Sequence, residues 1–198
     1  MESSPVSVPG EPGLVSLVVT AYNQERFLGE ALESVVAQSY RPIECIIVDD
    51  GSTDATAQIA SRYAGRSGAE FRLQYVHQPN RGAQAARNRG LALSRGQFIQ
   101  HLDGDDVLDP EKLSAQVSFL GSKDGRNSDA VYGDANFLLP QGESYQAGER
   151  LGMGASEDFL VSLLAGTGNP NFSYLGRRSE VSLCGPWDEA ITINQDFD

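Results

Sequence analysis

A parallel β-sheet covered by helices is the fold that this 198-residue sequence predicts, on three observations. Short apolar runs alternate with longer amphipathic segments four times in the first 110 residues. The runs are apolar along their length rather than at every second position, as strands buried on both faces require. They lead into polar or acidic turns, and in an alternating α/β chain the loops that meet a ligand leave the carboxyl ends of the strands.

Residues 1–13 (MESSPVSVPGEPG) are rich in Pro, Ser and Gly, have little to bury, and read as a disordered leader. Leu14 to Val19 is the first strand, followed by the polar turn Thr20 to Gln24. Between Glu25 and Gln38, Phe27, Leu28, Ala31, Leu32, Val35 and Val36 recur at helical spacing and define one apolar face. After Pro42, Ile43 to Val48 forms the second strand. It runs into Asp49-Asp50-Gly51-Ser52-Thr53-Asp54, whose small and acidic side chains suit a turn and a helix N-cap. Thr56 to Ala64 is the second helix, Phe71 to Val76 the third strand, Asn80 to Gly82 a turn, and Ala83 to Ser94 the third helix. The fourth strand, Gln97 to Leu102, delivers Asp103-Gly104-Asp105-Asp106. Asp109-Pro110 then opens a helix reaching about Leu120, with Asp as N-cap and Pro at the first helical position.

The second half is less regular. A strand is expected near Ala130 to Leu139, a Gly-rich polar stretch to Gly154, a short helix around Glu157 to Leu164, and a strand near Asn171 to Gly176. The chain reaches Gln195-Asp196-Phe197-Asp198 without a terminating signal, so a second half truncated at its C-terminus is expected.

Asp and Glu total 27 against 15 Lys and Arg, for a formal charge of -12. That balance disfavours a broad nucleic-acid surface or an anionic membrane surface. No apolar run approaches the roughly 20 residues of a membrane helix, and the N-terminus lacks a secretory pattern, so a cytoplasmic protein with no integral membrane segment is expected. The two cysteines, Cys45 and Cys184, lie in otherwise apolar stretches and read as reduced core thiols.

Three polar clusters follow strands one, two and four: Thr20 to Glu25, Asp49 to Asp54, and Asp103 to Asp106. Crowded carboxylates repel, and a hard divalent cation such as magnesium or manganese relieves that repulsion while sharing oxygens with phosphates. The plainer reading of Asp103 to Asp106 is a solvated turn before a capped helix. A calcium loop of the EF-hand type fails on spacing, because Leu108 and Ser114 stand where Gly and Glu are needed. A dinucleotide site needs a Gly-rich turn after strand one, and Thr20 to Gln24 has no glycine. Tyr22 is either packing at a strand exit or a platform for a base. Arg81, Arg87 and Arg89 form either a solvated helix face or, at Arg87, a partner for a diphosphate. His77 and His101 read as structural. No Ser/His nucleophile pair and no Cys/His metal cluster is legible.

In order, VSLVVTAYNQERFLGEALESVVAQSY, IIVDDGSTD and NRGAQAARNRGLALSRGQFIQHLDGDDVLDPEKL resemble the nucleotide-binding half of family 2 glycosyltransferases with the GT-A fold. The resemblance is close over residues 14–120 and looser through YLGRRS and GPWDE. It implies a Rossmann-like, mostly parallel sheet flanked by helices, with a nucleotide-sugar half over 14–110 and a less regular acceptor half over 111–198. The implied activity is an inverting, metal-dependent transfer of a sugar from a nucleotide-sugar donor, a UDP-sugar, to a hydroxyl of a glycan, lipid-linked or protein acceptor. Thr20 and Tyr22 match the strand exit beside the uracil, and Asp50 the acid that accepts from the ring N–H. Asn80 and Arg87 match elements beside the nucleotide, Asp103 the acid near the ribose, and Asp105 the ligand of a Mn2+ or Mg2+ ion. Asp196 matches the general base, with Gln195 where the family usually has Glu. Arg177 and Arg178 resemble a basic pair of the acceptor half, with no role assigned. Two alternatives stay open: an inactive nucleotide-sugar-binding or scaffold module, and a nucleotidyltransferase. The latter would need a Gly-rich loop with a basic residue after strand one, which this sequence lacks.

Overall fold

The computed structural model describes residues 10–64, 66–133, 135–141, 144–151, 173–184 and 186–190. Continuous apolar stretches make β1 (Glu11–Ala21) and β2 (Ile43–Asp49) the centre of the sheet, and both are buried along almost their whole length. They lie beside β3 (Phe71–His77) and β4 (Gly96–Asp103), and the four strands run parallel. Two short strands, β5 (Ala130–Tyr132) and β8 (Tyr174–Arg177), complete the far edge, with β8 antiparallel to both β4 and β5. The order across the sheet is β3-β2-β1-β4-β8-β5. A separate antiparallel pair is formed by β6 (Ala135–Gln141) and β7 (Ser144–Leu151).

Helices cover both faces, as a doubly buried sheet demands. On one face, α1 (Leu28–Val36), α2 (Thr56–Ala64) and α4 (Lys112–Gly121) contribute Leu28, Leu32, Val35, Ala60, Leu113 and Leu120. These pack on Val15, Leu17 and Val19 of β1 and on Ile43, Cys45 and Ile47 of β2, forming the larger core. On the other face, α3 (Ala83–Leu93) sets Ala86 and Leu93 on Ile46 and Val48. There is no room between α3 and β1. A Cβ added to Gly90 would lie 2.2 Å from Val18 Cγ1, so the helix backbone rests directly on the strand.

A polar network ties α4 to the far edge of the sheet. Lys112 Nζ donates to Gln100 Oε1 and Gln116 Oε1, each at 2.6 Å, and Gln116 Nε2 donates to the carbonyls of Val131 and Ser173. Burial lowers the Lys112 pKa to about 7.

Several boundaries differ from the sequence reading. β1 starts at Glu11, inside the expected leader, because Glu11 N–H donates to Arg95 O at 2.7 Å and Gly13 N–H to Gln97 Oε1 at 2.8 Å. These bonds to Arg95 and Gln97 leave no mark in local hydropathy; residues 1–9 lie outside the described residues. α1 starts at Leu28 rather than Glu25, since the Gln24 and Glu25 amides donate to Thr56 and Asp54 instead. The strand expected at 130–139 is two strands in two different sheets, and β7 occupies part of the expected polar stretch. The short helix α5 (Arg178–Leu183) was not anticipated, and the helix expected at 157–164 lies outside the described residues. Both cysteines are free. Cys45 is buried, with its thiol pushed up to about 12, but Cys184 is exposed at the end of α5 and is no core thiol. Among the described residues no helix is long and apolar enough to cross a membrane.

Because the α3–β1 contact admits no Cβ, Gly90→Ala is expected to cost about 1–3 kcal/mol through overpacking. The check is thermal unfolding, where the variant should melt several degrees below the parent chain, roughly 2–4 °C per kcal/mol.

Candidate functional site

Strand order reverses direction at β1, with β2 on one side and β4 on the other, and such a switch point opens a crevice at the carboxyl ends of the strands. Thr20 stands at that point, in register with Val48 of β2 and Asp103 of β4. Its hydroxyl donates to Asp103 Oδ1 at 2.9 Å. From α3, Arg87 Nη2 donates to Asp103 Oδ1 at 2.9 Å and to Oδ2 at 3.2 Å. The guanidinium is only 1% exposed, whereas the Asp103 side chain is 32% exposed. A buried cation requires its counter-ion, so Arg87 holds a carboxylate that is itself open to solvent in one orientation. Arg87 is thus buried rather than part of a solvated face, and its Nη2 is paired with Asp103. Arg81 and Arg89 are the exposed pair on that stretch.

Asp50 organises the neighbouring loop. It is 3% exposed, and its own N–H donates to Ala21 O at 2.9 Å. Its carboxylate accepts from Gln78 Nε2 at 2.7 Å, Arg81 N–H at 3.0 Å and Gly82 N–H at 2.7 Å. A carboxylate has about four lone-pair sites, so these three bonds leave capacity for one more donor. Asn80 approaches Gly51 so closely that a Cβ at Gly51, whose φ is +83°, would lie 2.7 Å from Asn80 N. Both the conformation and the clearance require glycine there. Asp49, next in sequence, is used differently: it accepts from Ser52 N–H at 2.9 Å and Tyr75 OH at 2.7 Å. Burial, with that bond to Asp49, holds the Tyr75 phenol well above its ordinary range.

The turn carrying Tyr22 is laced to the turn after β2. Asn23, at φ +53°, donates its N–H to Ser52 Oγ and accepts from Thr53 N–H through Oδ1, both at 2.9 Å. Glu25 Oε2 accepts from Ala55 N–H at 3.0 Å, and Glu25 N–H donates to Asp54 Oδ2 at 3.0 Å. Tyr22 is thereby an aromatic ring, 47% exposed, on a braced loop rather than a packing residue.

After β4, Asp106 N–H donates to Asp103 O at 3.1 Å, closing the acidic turn on itself, and Asp105 is exposed. Burial, reinforced by the charges of Asp103 and Asp105, pushes the Asp106 carboxyl up to about 7. Among the described residues no three His, Cys, Asp or Glu side chains converge as a ready cation cage. The donor set is nonetheless all hard oxygen. It fits a magnesium- or manganese-type ion held by one or two carboxylates and completed by phosphate oxygens, not a site built from protein alone.

Thr20 and Arg87 therefore both bond to Asp103, and Asp50 meets the 78–82 loop that contains Asn80. Tyr22 and Asp105 stand at the same end of the sheet. Asp196 lies outside the described residues. Gln78 and the Arg81 and Gly82 amides were missed. The Asn80-Arg81-Gly82 turn signalled available backbone donors, but nothing near Gln78 did. His101, two residues before Asp103, is 1% exposed, and its ring nitrogens have no hydrogen-bond partner among the described residues. Burial, then the Arg87 charge, lowers its pKa to about 4, with Asp103 opposing.

The sequence model for glycosyl transferase family 2 matches residues 16–134, more than half of the chain and all of the elements that build this site. The chain belongs to glycosyl transferase family 2. EpsH of Bacillus subtilis strain 168, named as a glycosyltransferase, is 43% identical over 113 residues, covering 57% of this chain and 32% of EpsH. Two solved structures share the fold of this family 2 chain. Staphylococcus aureus TarS 1–349 in complex with UDP-GlcNAc superposes with a TM-score of 0.62 at 24% identity, over 85% of this chain and 46% of that one. The mannosyltransferase PcManGT of Pyrobaculum calidifontis, in complex with GDP-Man and Mn2+, gives 0.64 at 17% identity, over 96% and 52%. The architecture is the GT-A fold. The chain spans about a third of the length of two of its curated relatives, 32% of EpsH and 30% of an uncharacterized glycosyltransferase of Rickettsia felis.

Two outcomes follow for the buried groups of this family 2 site. Asp50→Asn sets an amide NH2 against backbone donors and should cost about 1–3 kcal/mol. Hydrogen exchange checks it, with the Arg81 and Gly82 amides losing protection ahead of the core strands. For His101, the folded state favours the neutral ring. Its contribution to stability is full above the unfolded value near 6.5 and is lost as pH falls towards about 4. Melting curves of His101→Leu against the parent should show the variant gaining relative stability from pH 7 to pH 4.5.

Proposed function

We propose that this chain is the donor-binding part of an inverting, metal-dependent glycosyltransferase that takes its sugar from a UDP-sugar. The observation that carries the reading is the meeting, at one switch point, of an arginine-braced Asp103 and an Asp50 whose carboxylate retains one acceptor site. A uracil has a single ring N–H to offer, and Asp50 accepts it, with Tyr22 as the stacking face and Asn80 beside the base. Thr20 and Arg87 keep Asp103 turned toward the ribose. Asp105 would hold a Mn2+ or Mg2+ ion, with the diphosphate supplying further oxygens; when bound, the ion would offset the charge of the leaving diphosphate.

The acceptor approaches from the face opposite the diphosphate, and Asp196 takes the proton from its attacking hydroxyl. General-base assistance of this kind is worth about 10²–10⁴ in rate, so orientation of the donor by Thr20, Asp50 and Asp103 must supply a further share. The acceptor belongs to the glycan, lipid-linked or protein class, and the setting is cytoplasmic, consistent with the two unpaired cysteines. Support comes from the family assignment and from relatives whose solved complexes hold UDP-GlcNAc, or GDP-Man with Mn2+.

Calorimetric titration of UDP with and without Mn2+ tests the reading. Metal-dependent binding is expected in the parent chain, weakened by about tenfold or more in Asp105→Ala and retained in Asp196→Ala. Equal behaviour of all three proteins, or no UDP binding by the parent, would overturn it.

A further inference from the structure

We propose that Asn88 and Trp187 form a clamp that positions the Arg87–Asp103 pair, so that the donor site is completed by a residue from the second half of the chain. The role rests on the reading of Asp103 as a nucleotide contact.

The clamp joins residues 99 positions apart. Asn88 follows Arg87 on α3, and its side-chain amide pairs with both backbone groups of Trp187. Oδ1 accepts from Trp187 N–H at 2.8 Å, and Nδ2 donates to Trp187 O at 2.9 Å. This two-point pairing fixes the position and the orientation of Trp187, as a rung of a β-ladder would. The second hydrogen of Nδ2 donates to Glu189 Oε1 at 3.0 Å, while Arg81 Nη2 reaches Glu189 Oε2 at 2.7 Å. That ion pair is exposed and adds little by itself; Asn88 carries the attachment.

The indole so placed also borders the buried guanidinium. Arg87 Cζ lies 5.1 Å from the Trp187 ring centroid, and His101 meets the same ring edge-on, with centroids 5.8 Å apart and planes at 88°. Arg87 is held between the Asp103 carboxylate and an aromatic face. A cation over an indole is attracted by the ring quadrupole, more strongly where water is excluded, and Arg87 is almost fully excluded from it. Asp103, His101 and Tyr174 are among the groups around Arg87, and the neutral His101 adds no competing charge. Without the indole, solvent reaches the guanidinium and Asp103 loses the brace that selects its orientation. Trp187 is a positioning residue, acting on the nucleotide through Arg87 and Asp103.

Trp187 is the sole tryptophan of the sequence, so its fluorescence reports on the clamp directly. The test uses the whole chain with UDP and Mn2+ as probe, comparing Trp187→Phe, Trp187→Leu and Asn88→Ala with the parent by calorimetry, emission spectrum and thermal melting. Trp187→Leu and Asn88→Ala should bind UDP about 5- to 30-fold more weakly, the affinity equivalent of one desolvated cation–π contact. Trp187→Phe, which restores an aromatic face over Arg87, should recover binding to within about threefold of the parent. Emission from Asn88→Ala should shift to the red as the indole is released. Equal weakening in Trp187→Leu and Trp187→Phe would mean a purely structural role and would overturn the proposal, as would unchanged binding in both. If Trp187→Leu fails to melt cooperatively, Asn88→Ala decides: unchanged affinity or emission sinks the clamp. Absence of UDP binding by the parent is read separately and removes the functional reading, and this role with it.

Discussion

Arg87 is a full positive charge in a place with almost no water, and much of the architecture around the site follows from satisfying it. A guanidinium stripped of solvent and left without its carboxylate costs about 3–5 kcal/mol. Asp103 meets that demand, and for its side chain to reach Arg87 the fourth strand must end level with Thr20, so that the hydroxyl and the guanidinium converge on the same oxygen. The register of β4 against β1 and the height of α3 over the sheet are thus coupled through one ion pair. Gly90, one turn beyond Arg87, permits the helix to approach closely enough for the pair to form.

Asp50 imposes a second constraint of the same kind on the other side of β1. A buried carboxylate needs donors, and here they are two backbone amides and one side-chain amide of a loop with no regular structure of its own. The loop's shape is consequently set by the acid rather than by local turn preference. The β1–α1 and β2–α2 turns brace each other by reciprocal bonds between Asn23, Glu25, Ser52 and Asp54, so the exposed ring of Tyr22 stands on a framework already ordered. Preorganisation of this sort lowers the entropy lost when a planar ligand settles against the ring.

The site is also composite. Elements from the first 110 residues supply the acids and the arginine, but the aromatic face over Arg87 arrives from a segment beyond α5, held by an amide pairing that leaves Trp187 no other backbone partner to seek among the described residues. Arg81 links the two constraints: its backbone serves Asp50 while its side chain meets Glu189 of the same late segment. The first 110 residues and this late segment therefore share a small polar seam along α3.

Local sequence determined the alternation of buried strands and amphipathic helices, since continuous runs such as Ile43 to Val48 and the spacing of Leu28, Leu32 and Val35 declare their burial within a few residues. It also determined the acidic turns and the motifs of the family, because those residues are contiguous. The start of β1 was not legible, for Glu11 and Gly13 are held by backbone bonds to Arg95 and a side chain of Gln97, and such bonds leave no mark in hydropathy. Nor could periodicity separate β5 from β6, which differ only in the sheet they join. Tertiary structure alone decided that Arg87 is buried and not solvated, that Asp50 answers to Gln78, and that Trp187 lies over Arg87. Each of these is a single polar or aromatic contact between residues distant in the chain, where one geometry among many equally probable in sequence is chosen by the need to pair a buried charge or donor.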